Sequence, residues 1–169
     1  WIAESISGQP YADMISTEIW QKMGAEADGI IVAPRRGVPI ASGGISSTLR
    51  DMARFGLLFT PSGRAGVQPI ISDAYLKKIQ EGGRPEIFVA DGNEEKKRID
   101  GELPRHNTYQ WDFVMQDGDF FKGGFGGQGL YVSPSRDLVI AFFGSFDENG
   151  KGHEMTRIAR QLAKSGMFD

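Results

Sequence analysis

The 169-residue sequence contains no cysteine. Disulfides, thiolate nucleophiles and cysteine-based zinc sites are therefore excluded. Histidine is scarce: His106 and His153 are the only two, too far apart to suggest a metal cluster. No apolar run approaches the ~18–20 residues that a membrane-spanning helix needs, so no membrane span is expected. Excess positive charge is missing as well, with 19 Lys and Arg against 22 Asp and Glu and a formal net charge of -3. Nucleic-acid partners are disfavoured, because tracking phosphates takes clustered basic residues. There is no internal repeat, and the chain opens on Trp1 with no signal peptide in view.

What is present describes a globular chain. Hydrophobic residues make up 40% and charged residues 24%, a balance that argues against disorder. The length suits one domain or a piece of a larger one. Glycine is abundant, at 23 residues, but not periodic; it gathers at Gly43-Gly44, Gly82-Gly83 and between Gly123 and Gly129.

Helix-like apolar spacing covers residues 1–23, broken at Gly8-Gln9-Pro10, and a short strand fits within 29–34. Ser47 or Thr48 is placed to cap a helix whose buried face is Leu49, Met52, Ala53, Gly56 and Leu57. A further helix fits 72–80, with Gly82 ending it. Residues 83–108 read as polar and irregular, with Glu94-Glu95-Lys96-Lys97-Arg98 as a solvated face and His106 as an exposed loop residue. The pattern then changes to strands at 109–115, 120–122, 129–132 and 138–143. Turns are expected at Asp117-Gly118, at Ser133-Pro134-Ser135-Arg136-Asp137 and at Asp147-Glu148-Asn149-Gly150. A terminal helix over about 152–165 carries Met155, Ile158, Ala159 and Leu162 on one side, and His153 near its start reads as structural. The order of elements predicts an α+β fold, an antiparallel sheet with packed helices. About three core strands are visible, and both sheet edges would be bare.

Two segments carry a resemblance. One is Gly43-Gly44-x-Ser46-Ser47-Thr48-x-x-Asp51-Met52-Ala53-Arg54-Phe55-Gly56. The other is Tyr109-Gln110-Trp111 followed by Phe121-Lys122-Gly123-Gly124-Phe125-Gly126-Gly127-Gln128-Gly129-Leu130-Tyr131-Val132-Ser133-Pro134. Together they resemble the serine β-lactamase and DD-peptidase superfamily, in its branch of class C β-lactamases, esterases and 6-aminohexanoate-dimer hydrolases. The likeness implies that residues 1–169 are the C-terminal part of a single β-lactamase-like domain. Such enzymes take a nucleophile from Ser-x-x-Lys, a base from Tyr-x-Asn or Tyr-x-Ser, and a cation from a third motif on a strand. The implied reaction forms an acyl-enzyme on ester, amide, β-lactam or peptide-like small molecules, with no cofactor. A periplasmic or secreted setting fits the family.

By this resemblance Lys122-Gly123-Gly124 is the third motif. Lys122 is its cation, Gly123 and Gly124 line the substrate strand, and the backbone N–H of Phe125 is an oxyanion donor. Gly123 stands where a hydroxyl is usual, which favours ester or amide substrates over β-lactams. No lysine has a serine three residues before it. The resemblance implies that the tyrosine motif lies just upstream of Trp1 and the nucleophile well before it, in a missing N-terminal half, so the chain alone is expected to be inactive. Without that half, the apolar last strand would expose an edge and promote strand-exchanged self-association.

Plainer readings stand beside these. Trp111 is a core aromatic or a wall of the substrate pocket. Ser46, Ser47, Thr48, Asp51 and Arg54 read as capping or packing residues. Gly124-x-Gly126-x-x-Gly129 matches a dinucleotide fingerprint by letters, but a strand follows it where such a site needs a helix. The competing function is a non-catalytic ligand-binding module.

Overall fold

A computed structural model describes residues 1–35, 37–66, 69–145 and 154–168. The expected turn at Asp147-Glu148-Asn149-Gly150, the helix start at Gly152 and His153 lie outside the described residues. α1 (Ile2–Ser7) ends at Gly8, and Pro10 opens α2 (Tyr11–Ile15), which runs on as a π-helical turn at Ser16–Trp20. β1 (Ile30–Ile31) pairs with β2 (Ile45–Ser46) in a small antiparallel ribbon. Thr48 caps α3 (Leu49–Leu57), its Oγ1 accepting from the Asp51 amide at 3.1 Å. Ser72 does the same for α4 (Asp73–Glu81), through the Tyr75 amide at 3.2 Å. These caps satisfy amides that the first helical turn leaves without a partner.

The strand count is corrected from about three to five. β3 (His106–Thr108), β4 (Trp111–Val114), β5 (Phe120–Gly123), β6 (Gly129–Ser133) and β7 (Leu138–Phe142) form one antiparallel sheet in that order. The segment 109–115 is not one strand. Tyr109 and Gln110 adopt φ of 45° and 69° and make the two-residue turn that pairs Thr108 with Trp111. Two positive φ angles suit the twist of a tight hairpin, but they are costly for residues other than glycine or asparagine. Residues 83–108 are also less irregular than expected, holding β3 and two short helices, α5 (Pro85–Phe88) and α6 (Glu94–Lys97). His106 is correspondingly buried rather than exposed, with its Nε2 2.9 Å from the Gln80 carbonyl oxygen.

Period-two alternation divides the sheet's side chains between two cores. Val114, Phe120, Leu130 and Val132 pack on one face with Leu58, Phe59, Leu76 and Ile79. Phe113, Met115, Phe121, Tyr131 and Phe142 pack on the other with Ala159 and Ala163. α3 approaches the first face closely. A Cβ on Gly56 would lie 2.6 Å from a Val139 methyl and 2.9 Å from a Leu130 methyl. Leu49 and Leu57, expected on the buried face of α3, are exposed, and Asp51 is buried instead. Asp51 accepts the Glu26 and Ala27 amides at 2.8 and 3.2 Å and pairs with Arg54 at 3.0 Å. It ties the preceding loop to α3, and those contacts, the Glu26 amide first, hold its carboxyl below the usual range.

The terminal helix α7 (Glu154–Lys164) reverses its expected face. Thr156, Ala159, Arg160 and Ala163 are buried, whereas Met155 and Ile158 are 39% and 37% exposed. The reason is electrostatic. Arg160, 1% exposed, reaches Asp119 at 2.8 Å, Asp117 at 2.9 Å, Glu102 at 2.7 Å and the Tyr131 hydroxyl at 2.9 Å. Tyr131 and Ser133 each donate to Asp119 at 2.7 Å, and Arg136 pairs with it at 3.1 Å. A fully buried carboxylate is tolerated only with such a set of donors, and these partners orient the helix.

Candidate functional site

Lys122, Gly123 and Gly124, the residues that the resemblance gives as a third motif, lie where β5 runs into its hairpin with β6. Phe121 pairs with Tyr131, Lys122 with Leu130 and Gly123 with Gly129. The Gly124 amide then donates to the Gln128 carbonyl at 2.9 Å, closing a loop over residues 124–128. Gly126 and Gly127 hold φ of 89° and 92°, a region that side chains enter only with strain. The glycine run is therefore a requirement of this turn. β6 follows it directly, so no helix N-terminus is present to receive a dinucleotide.

Phe125 sits at the loop tip, 96% exposed. Its backbone N–H has no partner among the described residues, which leaves it free to donate. Lys122 is half-buried, and its Nζ donates to Asp112 Oδ1 at 2.6 Å. The second oxygen of that carboxylate accepts the Gly123 amide at 2.7 Å. The sequence alone assigns Asp112 no role. β4 pairs Phe113 with Phe121, and one residue further along the two strands Asp112 comes opposite Lys122. Its trace in the sequence is a charged residue between two apolar ones, Trp111 and Phe113.

Trp111 is buried, with its ring centroid 5.2 Å from Phe59 and 4.4 Å from Phe120, both edge-on. It also borders an open depression of about 240 Å³ lined by Asn107, Thr108, Tyr109, Gln110, Trp111 and Asp112. The fold thus gathers Lys122, Gly123, Gly124 and Phe125 at one strand end, with Trp111 and Asp112 on the neighbouring strand. Ser46 lies on β2, and the Thr48 hydroxyl is occupied at the α3 cap, donating to Asp51 at 2.8 Å.

The chain contains one Tyr-x-Ser triplet, Tyr131-Val132-Ser133, but the fold withdraws it from this site. Tyr131 faces α7, on the side of the sheet opposite Lys122. Burial raises the proton affinity of its hydroxyl well above that of an ordinary tyrosine, and the adjacent Asp119 raises it further. A phenol held protonated in this way is not a general base. Among the described residues no cluster of His, Asp and Glu is placed to hold a metal ion, and no helix is long and apolar enough to cross a membrane.

Comparison with known proteins matches the Beta-lactamase family over residues 1–164. A curated relative is the 6-aminohexanoate-dimer hydrolase of Paenarthrobacter ureafaciens, 29% identical over 155 residues. The alignment takes in 90% of this chain but spans only 38% of that relative's length. The family match runs from the first helix into the last, across both cores and the β5–β6 hairpin: this chain belongs to the β-lactamase family.

Proposed function

We propose that the protein carrying this chain is a serine hydrolase that acts through an acyl-enzyme on linear ester, amide or peptide-like substrates. The reading rests on the end of β5, where an ammonium, two side-chain-free glycines and a backbone N–H with no partner among the described residues meet. In the first half-reaction a serine oxygen attacks the substrate carbonyl carbon. The C–O or C–N bond then breaks, and the leaving group departs with a proton. In the second, water attacks the acyl-serine, releases the acid and returns the proton to the serine. Both tetrahedral intermediates carry a negative oxygen. The Phe125 N–H supplies one donor to it, and Lys122 supplies positive charge nearby.

Gly123 brings no hydroxyl to fix a substrate carboxylate. Substrates without the β-lactam carboxylate therefore suit the site better. No lysine of this chain has a serine three residues before it, so the reading requires a nucleophile from outside residues 1–169. The full-length protein is expected to hydrolyse short linear esters or amides and to show an acylated serine by mass spectrometry after rapid quenching. This chain alone is expected to do neither. Saturable ligand binding by the full-length protein with no acylation would replace this reading with that of a non-catalytic binding module.

The isolated chain is also expected to self-associate. Among the described residues β7 pairs with β6 on one side only, and its Leu138–Phe142 edge carries no charge and no proline to block a further strand. Sedimentation should show mass rising with concentration. A monodisperse monomer at high concentration would overturn this.

A further inference from the structure

We infer that Asp112 is a positioning residue that sets where the Lys122 ammonium points, a role that rests on the placement of Lys122 in the proposed hydrolase site. Its carboxylate bridges two elements of that site, with one oxygen 2.6 Å from Lys122 Nζ and the other 2.7 Å from the Gly123 amide nitrogen. An unrestrained lysine spreads its charge over many rotamers. Here one rotamer is selected, and the same carboxylate anchors the backbone two residues before Phe125, whose N–H is the oxyanion donor.

Asp112 is itself held rigidly. On one side Trp111 is locked between Phe59 and Phe120. On the other, the Tyr109-Gln110 turn holds two positive φ angles and pairs Thr108 with Trp111. Tyr109 is pinned in turn by its ring contact with Tyr75, at a centroid distance of 5.4 Å. The carboxylate is nonetheless 43% exposed, beside the open depression that the turn borders. An exposed ion pair adds little to folding stability. The arrangement therefore serves orientation, and its loss should appear in turnover while the fold is retained.

Asparagine and glutamate at position 112 separate the possibilities. The asparagine side chain can still accept the Gly123 amide, but it presents a donor or a neutral oxygen to the lysine. In the full-length protein, assayed on p-nitrophenyl butyrate, Asp112→Asn should lower kcat about 10–100-fold with KM changed by less than about threefold, as loss of an orienting partner does. Asp112→Glu should recover most of that loss. In a Lys122→Met background, Asp112→Asn should cost nothing further, because its effect passes through the lysine. An unchanged kcat in Asp112→Asn, alongside a strong loss in Lys122→Met, overturns the role of Asp112 and leaves the hydrolase reading standing. An unchanged rate in Lys122→Met removes Lys122 from the site and the Asp112 inference with it.

Discussion

Replacing Lys122 with methionine is expected to lower kcat/KM of the full-length protein by about 100- to 1,000-fold, the usual cost of removing one preorganised group that stabilises transition-state charge. Methionine keeps the length and apolar body of the side chain and removes only the ammonium. The Lys122–Asp112 pair is substantially exposed at both partners, so folding stability should change by less than about 1 kcal/mol. The two effects are measured independently, by steady-state kinetics and by urea unfolding. Equal losses in both would make Lys122 a structural residue. A rate loss confined to KM would assign it to ground-state binding and remove it from transition-state stabilisation.

Arg160→Met is expected to be the most damaging change to stability, at about 3–5 kcal/mol, because it strands a buried charge. Asp119 is fully buried, and burial already raises its proton affinity above that of an ordinary carboxylate. Without Arg160 it keeps Arg136 at 3.1 Å and the Tyr131 and Ser133 hydroxyls, and it loses its closest cation. Removing the charge on both sides should restore part of the loss, so Arg160→Met with Asp119→Asn should be less destabilised than the sum of the two singles.

The pH dependence has a definite sign. Glu102 titrates below its ordinary value of 4.5, chiefly through its hydrogen bonds from Arg160. Its contribution is complete above about pH 4.5 and disappears as pH falls through the lower folded value. Asp119 behaves oppositely. Its folded value lies above the ordinary 3.8, so the native state takes up its proton first, and stability declines as pH rises through that window. Arg160→Met takes away the larger part of the Glu102 gain, leaving only its Lys164 partner, and widens the Asp119 loss. The gap between parent and variant should therefore be smaller at about pH 4 than at about pH 7, as read from urea midpoints. An equal gap at both would mean that Arg160 acts through the packing of its side chain.

Much of this protein is determined locally. The Gly8-Gln9-Pro10 break, the Thr48 and Ser72 caps, the Asp117-Gly118 turn and the β5, β6 and β7 strands all follow from signals that act over a few residues. The run from Lys122 to Gly129 carries the family likeness for the same reason, since the hairpin needs glycine at Gly126 and Gly127 whatever surrounds it. Tertiary structure decided the rest. The apolar stripe of α7 points to Met155, Ile158, Ala159 and Leu162, yet only Ala159 of these is fully buried, and Arg160 turns inward beside it because Asp119 and Glu102, 41 and 58 residues away in sequence, supply its partners. His106 was drawn inward by the Gln80 carbonyl, 26 residues distant. Asp112 meets Lys122 across the β4–β5 hairpin closed at Asp117-Gly118, whereas the turn at Tyr109-Gln110 that starts β4 has no glycine to announce it. Local propensity sets where elements start and stop. Buried charge, which is unfavourable until its partners arrive from distant segments, decides which faces turn inward.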